Sequence, residues 1–146
     1  MFQTEASLVD CALGHLANAS GPFGACETAV EFGHLGGRAD ILAKAPDGTL
    51  LAFEAKLVKW RKALHQAYKN SSFAHCSYVL LPVERCETAR AHEDEFRRRG
   101  VGLCLDCGDE MVIDIPAKPK PPIRPWLTAA ATEFVVESGV SVASMV

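Results

Sequence analysis

Asp40, Glu54 and Lys56 are the residues whose types and spacing invite chemistry. They flank a single turn, and each lies in a stretch otherwise rich in Ala, Leu, Ile and Phe. Charges on a half-buried strand are costly unless they are paired or used. The stretch "APDGTLLAFEAK", from Ala45 to Lys56, sets how they meet. Pro46 and Asp47 suit the centre of a type I turn, with Gly48 in the left-handed position that closes it as a bulge. Such a loop sets Ala45 opposite Thr49, hence Asp40 opposite Glu54 and Arg38 opposite Lys56. Because strand side chains alternate, one face should carry Arg38, Asp40, Glu54 and Lys56. The other should carry Ile41, Ala43, Leu51, Phe53, Ala55 and Leu57 as a core face. Two carboxylates about 5 Å apart at Cβ repel unless something cationic sits there. Arg38 and Lys56 are one source of positive charge. A divalent metal is the other, and oxygen ligands with open water positions suit Mg2+ or Mn2+.

Positioning that pair takes a sheet with helices over it. Leu8, Val9, Ala12, Leu13 and Leu16 recur at helical spacing from Thr4 to about Asn18, with Thr4 placed to cap. "CETAVEF", "GRADILAKA" and "GTLLAFEAKL" predict three successive strands, separated by "GHLGG" and "PDG". A helical period returns from Val58 to Asn70, and "HCSYVLLP" is an apolar strand ended by Pro82. "CETARAHEDEFRRRG" predicts one charged amphipathic helix stopped by Gly100. "VGLCLD" and "EMVIDI" complete the strands. Residues 116–125 are too proline-rich for a sheet and predict an extended strap, followed by a short helix near "LTAAATEFVV" with Trp126 anchoring the tail. The order predicts an α/β fold, a central mixed β-sheet flanked by helices, over residues 1–115, with a proline-rich strap and tail over 116–146.

The totals agree with one ordinary globular domain: 146 residues, 49% hydrophobic and 23% charged. No apolar run approaches a membrane span, and "MFQTEASLVD" lacks the basic start and apolar core of a signal peptide, which predicts a cytoplasmic protein without a membrane partner. A net charge of −3 means that any nucleic-acid binding must rest on a local patch. One exists. Lys56, Lys59, Arg61, Lys62 and Lys69 place five cations and no acid between Lys56 and Asn70.

Asp40 followed by Glu54-Ala55-Lys56 at the end of the next strand resembles the signature of the PD-(D/E)xK, restriction-endonuclease-like nucleases. The order of elements over roughly residues 4–82 resembles that fold's core as well. Ala39 departs from the pattern, standing where the motif's name has proline. Literal Pro46-Asp47 is a decoy at a hairpin tip, about 20 Å along the strand from Glu54. The resemblance implies a nuclease acting on nucleic acid, most simply DNA, with Mg2+ or Mn2+ held by Asp40, Glu54 and the backbone carbonyl of Ala55. Lys56 would orient or deprotonate the attacking water, and a bound cation would supply both the hydroxide and the charge neutralisation that phosphodiester hydrolysis needs at neutral pH. Gln66, ten residues after the lysine, resembles a residue that helps position the water, and Glu5 resembles an extra acid that some members bring to the metal. Lys59, Arg61, Lys62 and Lys69 would contact the nucleic-acid backbone. No separate sequence-reading domain is visible, so a homodimer or a recruiting protein partner would choose the target.

Two other readings compete. One is a catalytically inactive nuclease fold kept as a nucleic-acid or protein binding module. The other is a zinc-dependent interaction protein built on Cys104 and Cys107, although no second CxxC or HxxxH completes four ligands. His34, beside Gly33 and Gly36, is expected in a turn.

Overall fold

The computed structural model describes residues 2–145, with side chains up to residue 139. The outermost residues of the expected 1–115 and 116–146 segments, Met1 and Val146, lie outside the described residues. Helix α1 (Glu5–Ala17) begins at Thr4, whose hydroxyl accepts from the Ser7 amide while the Ser7 hydroxyl faces back in a capping box. Strands β1 (Glu27–His34), β2 (Gly37–Lys44) and β3 (Leu50–Ala55) follow, then α2 (Trp60–Asn70), β4 (Cys76–Pro82), α3 (Glu87–Arg90), α4 (Glu93–Arg99), β5 (Gly102–Asp106), β6 (Met111–Ile115) and α5 (Pro125–Met145). The six strands lie side by side in chain order as one mixed sheet. β1–β2, β2–β3 and β5–β6 pair antiparallel, and β3–β4 and β4–β5 pair parallel. This is the α/β sheet flanked by helices that the sequence predicts.

The β2–β3 hairpin has the register that its turn chemistry expects, with Ala43 opposite Leu51 and Ile41 opposite Phe53. The Ala45 amide donates to the Thr49 carbonyl, Gly48 takes a φ of 89°, and Asp47 caps the turn by accepting from the Thr49 amide at 2.9 Å. The expectation of one polar strand face fails. All six residues of β3 are buried, because helices cover both sides of the sheet. α1 packs Leu8, Ala12 and Leu16 on Ile41, Ala43, Leu51 and Phe53. On the other side α2 covers β3 and β4, and Trp60, Ala63, Leu64 and Ala67 join an apolar cluster that reaches β5. Ala131 and Val135 of α5 pack with Ala29, Phe32, Leu42 and Ala52.

Three further expectations change. The predicted single helix over Cys86–Gly100 is two, broken at Ala91 and His92, and the second ends at Gly100 in the left-handed conformation. The tail helix is 21 residues long and not short. Trp126 does not anchor it, being 70% exposed; Ala131 and Val135 do that work. Among the described residues no helix is long and apolar enough to cross a membrane.

Candidate functional site

Regular pairing between β2 and β3 stops at Ile41 and Phe53, and the carboxyls take over from the ladder. The Ala55 amide donates to Asp40 Oδ2 at 2.9 Å, and the Asp40 amide donates to Glu54 Oε2 at 3.3 Å. Strand alternation breaks here as well. Ala39 and Leu42, three apart, enter the same apolar layer, as do Ala29 and Phe32 on β1. Glu31, which lies between the paired residues Val30 and Phe32, has a φ of 57°. Asp40, across from Glu31 in an otherwise unshifted β1–β2 register, is left out of both ladders and half-buried beside Glu54.

Glu54 is 4% exposed and feels the charge of the neighbouring Asp40 carboxyl. Burial, followed by the charge of Asp40, pushes its carboxyl up to about 8, against hydrogen bonds from Asn70 and the Asp40 amide that favour the charged form. Burial also raises the Asp40 pKa, and Glu5 adds to this; the Ala55 amide and Lys56 pull the other way. Lys56 is the cation acting on Asp40, whereas Arg38 lies exposed. The Lys56 amine stands 3.5 Å from Glu5 Oε1 on α1, and its amide donates to Leu80 of β4. The structure thus brings Asp40, Glu54, Lys56 and Glu5 together from β2, β3, the end of β3 and α1.

Sequence reasoning missed two residues. Asn70, fully buried at the end of α2, donates to Glu54 Oε2 at 2.8 Å and shares a 3.0 Å hydrogen bond with His34 Nε2. His34 is not in the turn as expected but ends β1 beside it; its Nδ1 accepts from the Gly36 amide, and it is a second support for Asn70. Asn70 is one helical turn after Gln66, and that spacing was the available signal. Gln66 itself lies against Gly37, where a Cβ would stand 2.9 Å from its Nε2, and that Nε2 is buried without a partner.

The basic face of α2 is divided. Lys59, Lys62 and Lys69 are exposed. Arg61 is exposed as well, but its guanidinium stands 3.0 Å from Glu95 of α4 and lies over the Trp60 ring. The Cys104 side chain is fully buried under α1, and neither it nor Cys107 joins a group of converging ligand side chains among the described residues.

Fold and site together define an α/β protein with a paired-carboxyl centre at the end of a central hairpin. No protein-family model matches the chain, and no curated protein matches it. Among solved structures it resembles a protein of unknown function from Silicibacter pomeroyi, with a TM-score of 0.66 and 18% identity over 99% of this chain and 88% of that one. That likeness shows the fold. A repair endonuclease from Pyrococcus abyssi is more distant, with a TM-score of 0.44 and 11% identity over 82% of this chain and 49% of that one.

Proposed function

We propose that this chain is a metal-dependent nuclease that hydrolyses phosphodiester bonds in DNA, with Asp40 and Glu54 holding Mg2+ or Mn2+ and Lys56 beside them. The observation that supports it most is the meeting of the two acids at the frayed end of the β2–β3 ladder, where the Asp40 amide donates to Glu54 and the Ala55 amide to Asp40, with one lysine near them. The donor set fits a hard divalent ion. Glu54 is buried beside half-buried Asp40, and burial followed by the Asp40 charge pushes its carboxyl up to about 8, a cost that a cation offsets. The backbone carbonyl of Ala55 offers a third oxygen. When bound, such an ion supplies a hydroxide at neutral pH and neutralises charge on the phosphate.

The rest is work for the chain's own groups. Glu5 and Lys56 form a part-exposed pair, which costs little to open. Lys56 can therefore turn its charge from Glu5 to a phosphate oxygen, or donate a hydrogen bond that orients the attacking water. Asn70 and His34 keep Glu54 in one orientation. The orphan Nε2 of Gln66 suits a water or phosphate contact. Lys59, Lys62 and Lys69 would hold the nucleic-acid backbone, and a second copy or a recruiting protein would select the target.

The test is incubation with supercoiled plasmid, linear duplex, single strands and branched DNA, in Mg2+ or Mn2+ and then with EDTA. Asp40→Asn should abolish cleavage and weaken metal binding while leaving the fold intact. Lys56→Ala should abolish cleavage and leave metal binding nearly unchanged. Full activity of Lys56→Ala would remove the mechanism. The inactive binding-module reading draws on a specific feature, that both carboxyls already accept protein hydrogen bonds. Metal binding and DNA binding without cleavage of any substrate would favour it.

A further inference from the structure

A second cluster of ligand-type side chains lies toward the other end of α1. Cys11 and His15 are one helical turn apart and project toward Asp106 at the end of β5. Cys11 Sγ lies 3.4 Å from His15 Nε2 and 3.5 Å from Asp106 Oδ1, and His15 Nε2 lies 3.3 Å from the same Oδ1. With Zn–S near 2.3 Å and Zn–N and Zn–O near 2.0–2.2 Å, the edges of a zinc tetrahedron are about 3.3–3.6 Å. The three donor atoms form a triangle of that size.

A hydrogen-bonded cluster explains it less well. The Cys11 thiol has one proton, yet Asp106 Oδ1, His15 Nε2 and the Gly108 carbonyl all lie within 3.5 Å of its sulfur. Nor is it a nucleophile–base relay, in which the thiol and the carboxylate would contact different imidazole nitrogens. Here both meet Nε2. The independent sign of a missing ligand is Asp106, whose side chain is fully buried and whose Oδ2 has no partner. A buried carboxylate short of partners is costly, and a cation bound at its Oδ1 offsets that cost by neutralising the whole group, Oδ2 included. Asp106 is also held as a ligand needs to be, its Oδ1 accepting from the Gly108 amide at 2.8 Å.

We propose that Cys11, His15 and Asp106 form a zinc site that ties α1 to the β5–β6 turn. Thiolate, imidazole and one carboxylate select zinc or cobalt over magnesium. The His15 side, 16% exposed, leaves room for water as fourth ligand. Six residues of helix, about 9 Å, separate Cys11 from Glu5, so this centre is distinct from the one proposed at Asp40 and Glu54.

Cobalt titration of metal-stripped full-length protein tests it. A thiolate-to-cobalt charge-transfer band should appear, saturate at one ion per chain and vanish on adding Zn2+. Zn2+, and not Mg2+, should raise the thermal midpoint through this site. Cys11→Ser should abolish the band, and His15→Ala should do so independently; both folds are checked by circular dichroism. Asp40→Asn and Cys107→Ser should retain it, which keeps this result separate from the fate of the nuclease reading. No band in the wild-type protein, a band that survives Cys11→Ser, or one lost in Cys107→Ser would overturn the proposal.

Discussion

Glu54 couples the site to stability because it is an acid kept where acids are poorly solvated. An unfolded glutamate titrates near its ordinary 4.5, whereas the folded one is held up to about 8. Between those values the native state keeps a proton that the unfolded chain has lost, so this group's stabilisation is complete below about 4.5 and is lost as pH climbs through 8. Thermal midpoints in chelator should therefore fall from about pH 5 to pH 8, and Glu54→Gln should flatten that slope. Asn70 belongs to the same account. Asn70→Ala removes the amide that faces Glu54 and leaves His34 without its partner. Loss of a buried donor of this kind costs about 1–3 kcal/mol, readable as a lowered urea midpoint with an unchanged m-value.

Glu31 and Asp40 form an unpaired step in the β1–β2 ladder, and that step stores strain at Glu31, whose φ is 57°. A non-glycine residue in the left-handed region costs roughly 1–2 kcal/mol, while glycine loses roughly 0.5–1 kcal/mol through its freer unfolded chain. Glu31→Gly should then stabilise the protein by about 0.5–1 kcal/mol, measured by urea unfolding. Because the strain is local, metal binding at Asp40 should be unchanged in that variant. The break at Ala91–His92 has a different origin. The charged period continues through it, but α4 packs Phe96 under Trp60, and a straight helix could not follow that turn.

At the scale of the whole molecule, the strap carries charge to the same side as α2. Lys118, Lys120, Ile123 and Arg124 donate main-chain hydrogen bonds to Gly100, His75 and Ser72, which fixes the proline-rich segment against the body. Lys69, Lys120 and Arg124 then line one depression of about 370 Å³ with Tyr68, Ser71 and Ser72. Lys69 and Arg124 also act on His34, which supports Asn70 and so Glu54. A basic surface therefore lies behind Asn70 and His34 in a chain of net charge −3, whereas Asp40 itself lines a depression with Glu5, Asp10, Glu31 and Arg38. If DNA lies across it, Lys69→Glu and Arg124→Glu should each weaken binding for every sequence alike and flatten the log–log salt dependence by about one unit. Arg61→Ala, already paired with Glu95, should leave that slope unchanged.

What the sequence determined by itself is local. "APDG" allows one tight loop, the loop fixes the β2–β3 register, and the register sets Asp40 beside Glu54 with Asp47 at the tip. The elements from Thr4 to Pro82 were legible for the same reason, since hydrophobic period and turn residues act over a few positions. Tertiary structure decided the rest. Burial of both faces of β3 depends on α5, a segment some eighty residues away whose small residues gave a weak period. Asn70 and His34 gained roles by lying near Glu54; the helical spacing from Gln66 points at Asn70, but nothing along the chain encodes its pairing with Glu54 and His34. Cys11 and His15 carried a helical spacing, but their partner Asp106 lies 95 residues beyond Cys11, and only packing α1 against β5 brings a buried carboxylate to a thiol and an imidazole.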